Sequence, residues 1–276
     1  MKMLMHDEIV IEAGRPESHY WLDLWRYREL FQVLAWRDLS VRYKQTVIGA
    51  LWALLRPFLT MLTFTVIFSR IAKLPSDGSA PYALMVFAGV LPWGFFSTGL
   101  GQASTSVINN GHLISKIYFP RMIVPASAVV VAFVDFLVAF AILLALIAWY
   151  RFLPSWHIIF LPLFIVLTFL ASIGPALWIA GLNVKYRDFQ YIIPFLLQLG
   201  LYVSPVGFTS NVIPQPWRLL YSLNPMVGII DGFRWCILGA QLYAPAQWLS
   251  VGIIGIFLWL GTRKFRKTEM TFADLI

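Results

Sequence analysis

The chain has 276 residues, of which 59% are hydrophobic, 16% aromatic and 12% charged, with a net charge of +8 and a mean hydropathy of +0.74. Soluble domains carry about a quarter charged residues, so this composition excludes one, and the apolar residues fall in blocks long enough to cross a bilayer. The lone cysteine, Cys236, excludes an internal disulfide and a multi-cysteine metal centre, and the positive charge reads as cytoplasmic Lys and Arg rather than a nucleic-acid surface.

Residues 1–20 form a tail without the apolar centre of a cleaved signal peptide, so the first span is expected to be retained. In 21–46, Tyr27, Leu30, Phe31, Leu34 and Val41 share one arc of a helical wheel. Arg28, Glu29, Gln32, Ser40 and Lys44 cover much of the other side; Asp38 interrupts the apolar arc, and Trp36 and Leu39 sit among the polar residues. This pattern predicts an amphipathic helix on the cytoplasmic membrane surface, aromatic rings at headgroup level and basic groups toward anionic lipid. A mere anchor satisfies it, and so does a helix that also touches another protein.

An all-α integral membrane domain is expected over 47–265, with six transmembrane helices at about 52–71, 82–103, 122–150, 158–183, 191–208 and 248–262. Pro92, Pro162, Pro175 and Pro194 lie in or near spans, where neighbouring helices re-satisfy freed carbonyls. With the N-terminus inside, only Arg70, Lys73, Arg151, Arg218 and Arg234 of the 21 Lys and Arg fall outside. Both termini are therefore expected in the cytoplasm, with a basic stop, "TRKFRKTEM", leading into the tail 266–276.

Between spans two and three lies "GHLISKIYFPR", in which Gly111 and Pro120 bracket about two turns of a short transverse helix. Leu113, Ile114, Ile117 and Tyr118 put apolar groups on an element that should face water, which marks a contact surface or a helix resting on headgroups. Asp135, in "VAFVDFLVAF", is the one charge deep in a span. It reads as a functional ionisable group or as a packing carboxyl bonded to a neighbouring span, with no second membrane charge to pair with it. The stretch 205–240 is too apolar for a solvated loop yet broken by Pro205, Pro214, Pro216 and Pro225. Two short helices, about 217–223 and 226–238, fit it, either re-entering the outer leaflet or capping its surface.

Catalytic patterns are missing. No lysine follows a glycine, so there is no phosphate loop; there is no Gly-x-Ser-x-Gly elbow; and His6, His19, His112 and His157 have no metal-ligand spacing. Outside the termini the acids Asp77, Asp135, Asp188 and Asp231 lie on separate segments, unlike a paired-carboxylate enzyme. No catalytic residue, cofactor or metal is expected in this chain.

"VRYKQTVIGALWALLRPF", "GHLISKIYFPR", "NVKYRDFQYIIPFLLQL" and "LNPMVGIIDGFRWCILG" together resemble, in order and spacing, the membrane (permease) subunit of bacterial ABC exporters of surface polysaccharide, of the O-antigen, lipopolysaccharide and teichoic-acid type. The resemblance covers about 25–265. Ile48 stands where the family usually has Leu, and Arg56 is an uncommon choice at its position.

The resemblance implies a homodimer in the bacterial cytoplasmic (inner) membrane, joined by two separate ATPase subunits that bind ATP and Mg, and no nucleic-acid partner. Besides membrane lipid, it implies a lipid-linked polysaccharide as the molecule handled. His112, Leu113, Ile114, Lys116, Ile117, Tyr118 and Arg121 would couple to the ATPase, with Arg37 and Arg42 of the interface helix. Substrate would enter at the loop Val47, Ile48 and Gly49 and at Arg56, and Trp217, Tyr221, Asn224, Pro225 and Phe233 would gate its exit. Thr60, Thr63, Phe64, Trp93, Gln198 and Tyr202 are candidates to line the pathway, since aromatic faces and hydroxyls can hold a sugar polymer without binding it tightly; most aromatics in spans face lipid or core instead. Two other functions stay open: export of a small hydrophobic drug or lipid, and a membrane enzyme acting on lipid-linked sugars.

Overall fold

A computed structural model describes residues 20–44, 47–77, 80–270 and 272, with the side chains of 47–50 outside the described set. Residues 1–19 of the N-terminal tail and 273–276 of the C-terminal tail also lie outside it. The regular elements among the described residues are helices. Two interface helices, α1 (Tyr20–Arg26) and α2 (Arg28–Lys44), lead into α3 (Val47–Phe64), which continues as a π-helical stretch, Thr65–Ile71. There follow α4 (Tyr82–Asn109), the one-turn α5 (Gly111–Ile114), α6 (Ile123–Trp149), α7 (Leu161–Lys185), α8 (Phe189–Val203), α9 (Gln215–Tyr221), α10 (Pro225–Leu238) and α11 (Ala244–Glu269).

Five helical stretches are long and apolar enough to cross a membrane: Leu51–Ile71, Tyr82–Asn109, Ile123–Trp149, Trp156–Lys185 and Ala244–Glu269. The expected fifth span, 191–208, is shorter. α8 has 15 residues, about 22 Å of helix at ~1.5 Å per residue against a hydrocarbon core of ~30 Å. It stops at Val203 because Ser204 precedes a proline and takes an extended backbone, as pre-proline residues do. The last helix is longer than expected: basic residues 263–267 are good helix formers and carry α11 on to Glu269.

α4 is the central post, packed against α6 on one side and α7 on the other. Lipid supplies no hydrophobic drive between helices, so close approach through small residues decides which faces meet. α7 and α11 cross at Gly174 and Gly261, where a Cβ on Gly261 would lie 2.0 Å from the Gly174 carbonyl oxygen. α10 lies among α4, α7 and α11, with a Phe164 edge filling the notch left by Gly232. Arg234 of α10 is 1% exposed and donates to the carbonyls of Phe208 (2.8 Å), Val206 (3.0 Å) and Met85 (3.3 Å). Burying a guanidinium costs several kcal/mol unless its donors are met. Here they pin α10 to the turn after α8 and to the start of α4.

Among the bundle's apolar helices of 15 residues or more, α3 and α8 are the least covered. Along Leu51–Ile71 a row of Trp52, Phe58, Leu59, Leu62, Val66 and Ile67 stands exposed, and only Ile193 of α8 is buried. At the opposite end from α5, Trp149, Trp156 and Trp248 stand out from the bundle, a placement that suits the headgroup level of a bilayer.

Candidate translocation face and coupling region

Within the exposed face of α3 and α8, Thr63, Gln198 and Tyr202 are open, and Thr60 is half-exposed with its hydroxyl donating to the Arg56 carbonyl at 2.9 Å. Such a face combines apolar area with an amide, hydroxyls and an aromatic ring. Two expected lining residues do not belong to it. Phe64 is 5% exposed and Trp93 7%. Trp93 lies behind α8, where a Cβ on Gly200 would come 2.8 Å from its ring. Phe64 is turned inward onto Phe68 (5.5 Å between centroids) and touches Tyr202 (6.0 Å), while Phe68 meets Phe208 (6.0 Å). Phe68 and Phe208 were not among the sequence candidates; they complete an aromatic seam that fastens the π-helical continuation of α3 to the turn after α8. The only sequence signal for them is their place at the ends of apolar runs, which any core phenylalanine shares.

At the expected entrance, the backbone of Val47, Ile48 and Gly49 is the first turn of α3 rather than a loop, and their side chains lie outside the described residues. Arg56 is exposed about two turns further along. Among the expected gate residues only Trp217 is open. The Tyr221 hydroxyl donates to the Val203 carbonyl at 2.8 Å, and Asn224 caps α10 by accepting the Met226 N–H at 3.0 Å while its amide donates to Ser204. Pro225 is half-buried in the first turn of α10, where proline's missing N–H costs nothing. Phe233 is fully buried against Phe136, so it is core and not a moving surface. At this end of the bundle a cavity of about 90 Å³ is lined by polar groups including Asp77, Ser210, Arg218, Asp231 and Arg234.

The segment 111–121 makes one helical turn, not two; beyond Ser115 it runs as turns to Pro120, which cannot continue a helix. Its apolar residues divide. Ile114 is buried and Leu113 half-buried against the bundle, so Ile114 is not available to a docking partner. His112, Lys116, Ile117 and Tyr118 face outward, and Arg121 is half-buried.

The two interface arginines also turn inward. Arg37 donates to Asn110, the residue that precedes α5, at 2.6 Å and pairs with Asp38 at 2.7 Å. Arg42 meets Asp135 at 2.8 Å, and the Tyr43 hydroxyl donates to the other Asp135 oxygen at 2.6 Å. With its amide turned to satisfy both its atoms, Gln102 of α4 also accepts from Arg42, at 2.7 Å. Asp135 therefore does have a charged partner, supplied by the interface helix and not by another span. Linear reading misses it because Arg42 and Asp135 are 93 positions apart and on elements of different kind. Burial, and then the bond to Asp135, push the Tyr43 phenol up to about 12, so it stays a donor at neutral pH. Along α2, Leu34 is buried and Tyr27, Leu30 and Phe31 pack on the core as the wheel predicted, whereas Val41 and Trp36 are exposed. Among the described residues no three His, Cys, Asp or Glu side chains gather as a metal site requires.

The family model of the ABC-2 type transporter matches residues 29–238. The chain is 27% identical over 257 residues to the O-antigen export system permease protein RfbA of Myxococcus xanthus, covering 92% of this chain and 98% of that one. Two proteins of the same name from Klebsiella pneumoniae are 26% and 25% identical over 254 and 251 residues, each covering 90% of this chain and 95% of the relative. With the model matching from the second residue of α2 to the end of α10, a stretch that holds four of the five long apolar helices, the chain belongs to the ABC-2 type transporter family.

Proposed function

We propose that the chain is the permease subunit of an ATP-driven exporter that moves a lipid-linked, O-antigen-like polysaccharide across the bacterial inner membrane. The observation that carries it is similarity over nearly the whole length of three O-antigen export permeases, none a fragmentary match. It is a transport subunit and not an enzyme; hydrolysis of ATP falls to a separate ATPase, in keeping with the missing phosphate loop.

In this reading two copies face each other across α3 and α8, whose uncovered faces give each copy a large apolar area that lipid or a second copy must cover. α8 serves as the sixth span, its ends extended by the turns on either side, and both termini are cytoplasmic. α9 and α10 re-enter from the outside, which agrees with the deep packing of α10 between long helices. Arg56 and the first turn of α3 receive the lipid-linked end, Thr60, Thr63, Gln198 and Tyr202 line the path, and Trp217 with Tyr221 borders the exit. His112, Lys116, Ile117 and Tyr118 meet the ATPase.

Deleting the gene in its host tests the proposal: surface polysaccharide should disappear while lipid-linked glycan accumulates on the cytoplasmic side, and the cloned gene should restore export. Normal surface polysaccharide with a new sensitivity to hydrophobic drugs would assign the chain to drug export instead.

A further inference from the structure

Glu269 is the only acid in the basic run that closes α11, and nothing in the transport reading uses it. Its Oε1 accepts the backbone N–H of Arg121 at 2.6 Å, and its own carbonyl accepts from the Arg121 guanidinium. Its Oε2 accepts the Tyr20 hydroxyl at 2.9 Å. Tyr20, the first residue of α1, is 6% exposed, with the Arg266 guanidinium 4.7 Å above its ring. Arg121 also lies over Phe272, which is buried edge-on against Phe265 of α11. One carboxylate thus joins elements 148 and 249 positions away in sequence: the exit of the 111–121 segment and the start of the interface helix.

The other end of that segment is held as well. Asn110 accepts from Arg37 of α2 while its own amide donates to the Ser106 carbonyl at 2.9 Å. Both anchors reach the same pair of interface helices. A carboxylate bonded to a backbone N–H fixes the main chain itself, and such charge-assisted bonds are about twice as strong as neutral ones. Burial, and then the carboxylate, hold the Tyr20 phenol above its ordinary pKa, so the hydroxyl remains the donor.

We propose that Glu269 is a positioning residue that clamps the exit of the 111–121 segment to the interface helix, so that segment, interface helix and the end of α11 move as one body. The proposal rests on the reading of 111–121 as the segment an ATPase drives. It gives the C-terminal helix a part in transmission: a push on Tyr118 reaches α1 through Arg121 and Glu269, and reaches α2 through Asn110 and Arg37. Without the clamp, only the Arg37–Asn110 bond ties the segment to the interface helices, and the two are free to shift against each other.

The test uses the permease with its ATPase in lipid nanodiscs. Spin labels on cysteines at Gln32 of α2 and Ser115 of the segment, both exposed, report their separation; Cys236 is buried, and dilution with unlabelled chain leaves only pairs within one copy. The unsubstituted protein should give one narrow distance with and without ATP. Glu269→Ala should broaden it, keep ATP hydrolysis within about two-fold, and lower glycan moved per ATP about tenfold, the order expected for one lost charge-assisted bond. Glu269→Gln keeps an oxygen for the Arg121 N–H and should retain more than half the export. If Glu269→Ala fails to accumulate, Tyr20→Phe, which removes only a hydroxyl, should still broaden the distance. An unchanged distance and an unchanged glycan-to-ATP ratio in accumulating variants would overturn the proposal. So would hydrolysis, export and melting temperature all falling together in Ala and Gln variants alike, the mark of a plain fastening. The distance measurement needs no substrate, so its failure counts against the clamp, whereas an unsubstituted complex that hydrolyses ATP and moves no glycan counts against the exporter reading.

Discussion

Replacing Asp135 separates its charge from its hydrogen-bonding capacity. In the structure the carboxylate accepts from Tyr43 at 2.6 Å and from Arg42 at 2.8 Å, with side-chain exposures of 17% for Asp135 and 37% for Arg42. The tyrosine bond to a charged acceptor contributes about 1.5–3 kcal/mol. The arginine pair is half open to solvent, so screening holds it to about 1 kcal/mol or less. Asp135→Leu loses both and strands the Tyr43 hydroxyl, while Arg42 keeps Gln102, a cost of roughly 2–4 kcal/mol. Asp135→Asn keeps an acceptor for Tyr43 and should cost only about 1 kcal/mol. Purified variants melted in detergent, with membrane abundance measured alongside, give these values. A cycle with Arg42→Met should show a coupling of about 1 kcal/mol, because removing the arginine costs less once the carboxylate it pairs with is gone. Equal destabilisation by Asn and Leu, or strict additivity with Arg42→Met, would refute the account. If Asp135→Asn abolishes export at normal abundance, the charge itself has a role beyond packing.

Cysteine scanning over 60–65 and 193–202 should label positions 63, 198 and 202 and leave 64 and 193 dark; uniform labelling would mean the α3–α8 face is not ordered as described. Tyr118→Ala should leave folding and abundance unchanged yet abolish export, whereas Ile114→Asp, at a buried site, should lower abundance in Western blots by burying an unpaired charge. Gly261→Val should separate α7 from α11 and cost about 2 kcal/mol or more in thermal melts, given the 2.0 Å approach a Cβ there would make. A variant as stable as the parent would show that the crossing can relax.

The long helices were legible because a bilayer demands runs of about 20 apolar residues, and such runs survive in one dimension. Their ends were less so. α4 continues to Asn109 through Ser104, Thr105 and Ser106, residues that look like loop but hydroxyl-bond to carbonyls of their own helix and stay in it. Which residues would face a pathway is not written in the sequence. Thr63 and Phe64 are neighbours in sequence with opposite exposure, and no composition argument chooses between them without knowing how α3 is rotated against α4. Polar partners across the bundle were hidden for the same reason. The resemblance implies an ATPase contact for Arg42, and nothing in the linear sequence shows that Asp135 lies within its reach.

These inward bonds narrow what a partner ATPase can touch. Arg37 and Arg42 are engaged with Asn110 and Asp135, and Arg121 with Glu269, so three of the four basic residues expected to meet the ATPase already hold the permease together. Lys116 remains, beside His112, Ile117 and Tyr118 on the outward side of the segment. A contact made by one cation, one imidazole and two apolar groups depends mainly on buried apolar area and little on salt. Association of permease and ATPase should therefore weaken by less than tenfold between about 0.1 and 0.5 M NaCl, whereas a contact led by Arg37, Arg42 and Arg121 would weaken far more. Surface-plasmon measurements across that range distinguish the two. A steep salt dependence would mean that these arginines leave their partners when the ATPase binds.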